Sequence, residues 1–553
     1  MTTNIRWPAI AAALAVVSTL TIDRAAAQPK FLPDDPAWVE PDTEDASAMA
    51  PLEMSLFVDL AYSIVAGRRM PDRARALNVN TIDEVPDSSW FTNRAGRMPL
   101  TAVDIARGPD TTSGPARGPW TVTSSKSDGV TPGFTIRDGA GLRWFLKFDP
   151  PGHRGMTTGT EVVVTKLMWA LGYNVPENHI AYLRREQLVV GDGATFTPPG
   201  GRRRALRIGD VDRLLERTDR EVDGSYRVVA SRALDGRPIG RIRFHGTRPD
   251  DPNDVVPHED RRELRAYGVF AAWLNHVDAK AINSLDTLVT ENGRSVVRHN
   301  LLDFGSTLGS GGVAPADYWA GTQYLVEPSE ILRRIAGFGL SIPAWRTAAF
   351  YESPSIGRLP LDNTTFDPER WRPRVPNLAF LRARADDKFW AARRLALLTT
   401  DLLRAAVGSG DFRDPGAEEF LVRALAERRD AIVRRYLTAL NPIVDPVLDE
   451  DGLSFRNAAV DADVARAPEA YHIVWSAFDN ATGASAVLGE TVARSARVKA
   501  PADLPHAPGT FIKIELSAIG GTHASWASPV HTYFRRGPAG WALVGFERMP
   551  GQP

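Results

Sequence analysis

The pattern of apolar and polar positions changes texture several times along the chain, and each change predicts a different kind of element. From Trp120 the alternation has a period of two: Trp120-Thr121-Val122-Thr123, then Phe134-Thr135-Ile136, then residues 142–148, with turn-forming residues between them. Three short alternating runs joined by Gly-rich turns predict an antiparallel sheet. The segment 160–172 then carries apolar residues at helical spacing and stops at Gly172, which predicts a helix. Residues 180–190, 225–234 and 239–245 read as further strands, and the charged stretch before Ser225 as a helical excursion. A helix from about Glu259 presents Leu264, Phe270, Trp273 and Leu274 on one face.

After that helix, two alternating runs are hinged at Asn292-Gly293, the strongest short-range hairpin signal because both central turn positions favour positive φ. Two amphipathic helices follow, over 386–407 and 417–440, with Asn441-Pro442 closing the second. The last hundred or so residues alternate again, over 471–478, 511–517, 531–535 and 541–546, which predicts a small antiparallel β domain of sandwich type. Trp475, Trp526 and Trp541 are read as its core, with a carbohydrate-stacking platform as the alternative. Near the start, Leu56, Leu60, Ile64 and Val65 fall on one face of a helix over 54–66.

Composition sets limits on this picture. At 553 residues and 60.5 kDa the chain is too long for a single core and implies three to four domains. A net charge of -1 argues against a nucleic-acid-binding surface over the whole molecule. The absence of cysteine excludes disulfides and thiolate metal sites. At the N-terminus, Arg6 precedes an apolar, Ala-rich run from Pro8 to Ile22, and Ala25-Ala26-Ala27 supplies the small residues of a signal-peptidase site. Residues 1–27 are therefore read as an export signal, leaving a mature chain with no membrane span and a periplasmic or extracellular location.

The hairpin also carries the chemistry. Just before it stands His276-Val277-Asp278-Ala279-Lys280, then Asn283; just after it stands Asp303-Phe304-Gly305. The two ends of an antiparallel hairpin are neighbours, so Asn283 and Asp303 should meet beside the Asp278 carboxylate. Phosphoryl transfer needs that set: a hydroxyl-positioning Asp, an Asn and an Asp for Mg²⁺, and a Lys near the transferring phosphate.

In this order the motifs resemble the catalytic loop, metal-binding hairpin and DFG motif of the protein kinase-like superfamily. His276 holds the place of the HRD histidine, with Val277 where arginine is usual. Upstream, Lys147 in an apolar strand and Glu161 opening a helix fit the Lys–Glu pair that positions the α and β phosphates of ATP. Gly129 and Gly133 fall where the glycine-rich loop stands, although GVTPG departs from GxGxxG. HEDRRELR before the catalytic loop makes the chain similar to the atypical bacterial branch of HipA, spore-coat CotH and lipid-kinase-like proteins.

The resemblance implies an α+β, two-lobed kinase-like fold: an N-terminal extension over 28–112, an antiparallel β N-lobe over 113–245, a mostly helical C-lobe over 246–445, and the C-terminal β domain over 446–553. It implies ATP and Mg²⁺ as cofactors. Lys147, Glu161, Gly129 and Gly133 would bind nucleotide, Asn283 and Asp303 the metal, and Asp278, Lys280 and His276 would serve catalysis. No APE motif follows DFG, so the acceptor (protein, lipid or glycan) stays open, as do a nucleotide-binding pseudokinase or envelope scaffold and a nucleotidyl transferase on the same fold.

Overall fold

A computed structural model describes residues 28–68, 74–126, 131–198, 201–326 and 344–551. The predicted signal segment and Gly129 lie outside them. Ten strands position the candidate site: β1 (Trp120–Ser125), β2 (Gly133–Arg137), β3 (Arg143–Phe148), β4 (Asn178–Leu183), β5 (Leu188–Phe196), β6 (Arg204–Ala205), β7 (Tyr226–Arg232), β8 (Arg237–Gly240), β9 (Ser284–Glu291) and β10 (Arg294–Leu301). The first seven form one sheet in the order β4-β7-β3-β2-β1-β5-β6.

Alternation decides which way this sheet faces. On β3, Trp144, Leu146 and Phe148 are buried on one side, packed with Phe134, Ile136, Val228 and residues of the helix α4 (Ile208–Leu215). Lys147 is on the other side, toward the helix α3 (Met156–Ala170). One feature departs from the purely antiparallel expectation: β5 pairs with β1 in parallel. The run 180–190 reads as one strand in sequence, but a short 3-10 turn at Arg185–Gln187 divides it. The first half joins β7 at one side of the sheet and the second half joins β1 at the other. Of the expected strand over 239–245, only the start is retained, at the end of β8.

Every residue of α3 except Trp169 is buried. Its N-terminus is capped from outside by Asp149, whose carboxylate accepts from the backbone N–H groups of Gly155, Thr157 and Thr158 at 2.9–3.0 Å. Arg227 on β7 donates to the Thr158 hydroxyl at 2.9 Å and to the Gly410 carbonyl at 2.6 Å. Phe412 packs against Gly155, Gly159 and Gly410. Strand, helix and a distant loop are thereby fastened together.

The helix α5 (Arg262–Leu274) is buried at all but one of its positions and ends in a left-handed Asn275. Its charged start is taken up in ion pairs. Arg262 reaches Asp83 at 2.9 Å, Asp387 at 3.0 Å and Asp386 at 3.4 Å, and Arg265 reaches Asp387 at 3.1 Å. Arg261 forms two hydrogen bonds to Glu40, both at 3.1 Å, and lies over the Trp90 ring. The HEDRRELR run is thus a clamp that fixes Glu40, Asp83 and Trp90 of the extension to the start of α5 and to the helix Ala385–Ala396. Asp260 pairs with Arg265 and Arg382, and His258 with Asp254.

The amphipathic stretch predicted over 386–407 is two helices, Ala385–Ala396 and Thr400–Gly408, with Thr399 capping the second. The long helix that follows spans Pro415–Leu437, and the N-terminal helix spans Leu56–Arg68. The C-terminal strands form a three-stranded and a five-stranded antiparallel sheet. Trp475 and Trp526 are buried and Trp541 partly so, in one apolar core shared with the helices before them. Among the described residues no helix is long and apolar enough to cross a membrane.

Candidate active site

The β9–β10 hairpin pairs in register through eight residue pairs, from Glu291 opposite Arg294 to Ser284 opposite Leu301. Asn292 and Gly293 both take positive φ, at 49° and 80°, as their turn type demands. At the open end the Leu302 N–H donates to the Asn283 carbonyl at 2.9 Å. Asn283 and Asp303 are thereby set on adjoining strand ends, as the turn chemistry predicts.

Lys147, 156 positions before Asp303, closes the site from the other sheet. Its ammonium donates to Asp303 Oδ1 and to Glu161 Oε2, both at 2.8 Å. Burial opposes the ammonium charge, but Asp303 and Glu161 outweigh it and hold the group above the usual lysine range. Lys147 holds the Asp303 carboxyl down to about 2, with Lys126 adding to the effect. The two groups therefore face each other fully charged at neutral pH.

Glu161 is buried and does more than orient the lysine. Its two oxygens accept the backbone N–H groups of Phe304 and Gly305 at 3.0 and 2.9 Å. A Cβ at Gly305 would meet Glu161 Oε2 and Thr157 Cγ2 at 3.0 Å each, so glycine there allows the close approach. Asp303 itself is left-handed, at φ 58°, which turns its carboxylate toward Lys147.

Asp278 lies on the loop that leads from α5 to β9. Asn283 Nδ2 donates to its Oδ2 at 2.9 Å and to its carbonyl at 2.8 Å, while Lys280 Nζ is 2.7 Å from Oδ1. With the amide nitrogen so used, the oxygen of Asn283 is the group left to coordinate a cation. The donors for Mg²⁺ would then be this oxygen and the Asp303 carboxylate. Mg²⁺ commonly takes only one or two protein ligands beside phosphate oxygens and water, so this donor set fits a magnesium–triphosphate complex. Among the described residues no group of three or more His, Asp or Glu side chains is arranged to hold a metal by itself.

Two of the predicted site residues stand in other places. His276 is fully buried, with its ring centroid 5.6 Å from that of Phe304 and neither ring nitrogen hydrogen-bonded. So enclosed, the ring packs against Phe304 and has no exposed surface for a substrate to touch. Gly133 sits within β2, opposite Lys147 in the ladder, and not in a phosphate-cradling turn. A Cβ there would come within 2.2 Å of the Leu146 carbonyl oxygen, so its missing side chain serves strand pairing.

Burial pushes the His276 imidazole down to about 4 from 6.5. The folded value lies below the unfolded one, so the neutral ring contributes fully above pH 6.5, and the contribution is lost as pH falls toward 4. The loss amounts to roughly 3 kcal/mol. His276→Leu should flatten the wild-type fall in stability across that window in urea melts at stepped pH; parallel profiles would contradict a neutral buried ring.

Periodicity and motif spacing gave no sign of Lys126, Arg374, Asp149 or Arg227. Asp149 stands two residues after Lys147, and a carboxylate shortly before a helix is the signal that would have marked its capping role. Arg374 reaches the site from a loop almost a hundred positions away, beyond any local pattern.

No family model and no curated protein matches this chain. Among solved structures it is similar to a Helicobacter pylori proinflammatory kinase, CtkA, at 12% identity, covering 55% of this chain and 94% of that one, with a TM-score of 0.28. It is also similar to the Golgi casein kinase, at 12% identity, covering 73% of this chain and 95% of that one, with a TM-score of 0.27. Both scores lie below the level that defines a shared fold.

Proposed function

We propose that the chain is an exported ATP- and Mg²⁺-dependent phosphotransferase built on a two-lobed kinase-like plan. One observation carries the reading: Lys147, held at 2.8 Å from both Glu161 and Asp303, joins the large sheet to the hairpin end at which Asn283 and Asp278 meet. A buried glutamate, a strand lysine and a hairpin-end aspartate, far apart in sequence, are brought together with the aspartate side chain 46% exposed. Phosphoryl transfer requires such positioned charge and little else.

In this reading Lys147 holds the α and β phosphates and Glu161 fixes its direction. Asn283 and Asp303 would hold Mg²⁺, whose charge would supply neutralisation of the phosphates. Asp278 orients the acceptor hydroxyl. The acceptor oxygen forms a bond to the γ-phosphorus, the bond from that phosphorus to the β–γ bridging oxygen breaks, and ADP leaves with the electron pair. The hydroxyl proton passes to the Asp278 carboxylate, and Lys280 neutralises charge developing on the γ-phosphoryl oxygens. The apolar N-terminal segment and its Ala-rich end support export, and the near-neutral net charge supports an acceptor other than nucleic acid.

ATP labelled separately on its γ and α phosphates tests the proposal. Transfer of γ label supports a kinase and transfer of α label a nucleotidyl transferase. Label on no product, with Mg-ATP still stabilising the fold, leaves a binding protein and ends the enzyme reading. Asp278→Asn should lower transfer by about 10²–10⁴-fold, the usual contribution of a positioned acid–base group. It should keep Mg-ATP-dependent thermal stabilisation, and an undiminished rate in Asp278→Asn would remove this residue from the chemistry.

A further inference from the structure

Two cations lie near a single oxygen of Asp278, Oδ1, which has no hydrogen-bond partner of its own. Lys280 Nζ lies 2.7 Å from Oδ1 and Arg374 Nη1 lies 3.9 Å from the same atom, while Asn283 occupies Oδ2. Among the described residues neither cation pairs with another carboxylate. One positive charge is therefore in surplus at the point where an acceptor would approach. The side chains of Lys280 and Arg374 are 37% and 31% exposed and that of Asp278 only 16%, so the cations form the open rim.

The placement of Arg374 is fixed by the backbone. Its N–H donates to the Val277 carbonyl at 2.8 Å, and its own carbonyl accepts from Leu325 at 2.7 Å. Three residues earlier, Trp371 Nε1 donates to Asn275 Oδ1 at 2.9 Å. This strap binds the loop on both sides of His276 and delivers a guanidinium beside the next residue, Asp278. An ion pair so exposed and so long contributes little to stability. A planar fork of donors at a rim is, in contrast, well matched to a carboxylate or a phosphate group.

We propose that Arg374 selects an acceptor hydroxyl that carries a second, anionic group close by. The inference rests on the phosphotransferase reading of the site. An anionic acceptor approaching a triphosphate meets like charge, and a rim guanidinium offsets that repulsion for the acceptor alone. Acidic side chains flanking a hydroxyl residue and the phosphate of a polyol phosphate present this chemistry equally.

The test uses the full mature chain with Mg²⁺ and a non-hydrolysable ATP analogue filling the nucleotide site. Sulfate is titrated against chloride at matched ionic strength while thermal stability is followed. Wild type should show saturable stabilisation by sulfate, Arg374→Gln should weaken it by about tenfold, the worth of one charge-assisted hydrogen bond, and Arg374→Lys, which keeps the charge and loses the fork, should fall between the two. Equal response in wild type and Arg374→Gln, or no saturable response in wild type, overturns the proposal. A Ser peptide with acidic flanks and a polyol phosphate are then added as competitors. Displacement of sulfate by one of them identifies the source of the anion, and displacement by neither also overturns the proposal. Failure of the analogue itself to stabilise the protein would count against the phosphotransferase reading, and the sulfate comparison repeated without nucleotide would still decide the role of Arg374.

Discussion

Asp303→Asn is expected to abolish Mg-ATP-dependent thermal stabilisation and to lower phosphoryl transfer by on the order of 10³-fold, the upper range for removing one preorganised electrostatic group. Asparagine has the size of aspartate and tolerates the left-handed backbone at φ 58°, so the change removes charge with little strain. Lys147 would keep Glu161, 2.8 Å away, and Glu161 would keep the N–H groups of Phe304 and Gly305, so the DFG turn should stay in place. Loss of metal-dependent binding in a variant with wild-type stability would therefore locate the effect in the carboxylate. Retention of Mg-ATP binding with unchanged affinity would refute the assignment of Asp303 to the metal. Because the carboxyl is held down to about 2, wild-type Mg-ATP binding should lose nothing through this group as pH falls from neutral to 4.

Arg262→Ala should be the most damaging single change to the fold, costing about 3–5 kcal/mol, the range for removing one partner of a buried ion pair. Arg262 is fully buried and faces three carboxylates, Asp83, Asp386 and Asp387. Burial works against its charge, and those carboxylates reverse the balance and hold it above the usual arginine range. Arg265 and Arg384 would still pair with Asp387 and Asp386, but Asp83 would be left with Arg75 alone at 3.3 Å. Urea melts measure the change. A loss below about 1 kcal/mol, the level of an exposed pair, would show that the network is redundant.

The parts of the site that could be read in the sequence are those written into short stretches. Asn292-Gly293 fixes a turn, the turn fixes a register, and the register sets Asn283 beside Asp303. Lys147 stands out as a charge inside an apolar strand, and Glu161 by its place after it; read as opening a helix, Glu161 lies five residues inside α3. The readings that failed depend on partners far away in sequence. Residues 180–190 look continuous because both halves are apolar, yet one half is claimed by β7 and the other by β1. His276 and Gly133 fit a motif by position, but only packing shows that one is enclosed and the other crowded by the Leu146 carbonyl. The extension from Glu40 to Trp90 showed no chemistry because its part is to receive the arginines of α5.

In kinases that are turned on and off by moving the glutamate-bearing helix, that helix must be free to swing outward. Here Asp149 holds the N-terminus of α3, Arg227 ties it to the loop at Gly410, and Asn178 grips Thr165 at 2.7 Å near its other end. Rotating Glu161 away from Lys147 would drag Val163, Val164, Leu167 and Met168 into water. On the proposed reading such a molecule would have no idle posture: it would be complete as soon as its chain has folded, and its output would be set from outside by the supply of nucleotide.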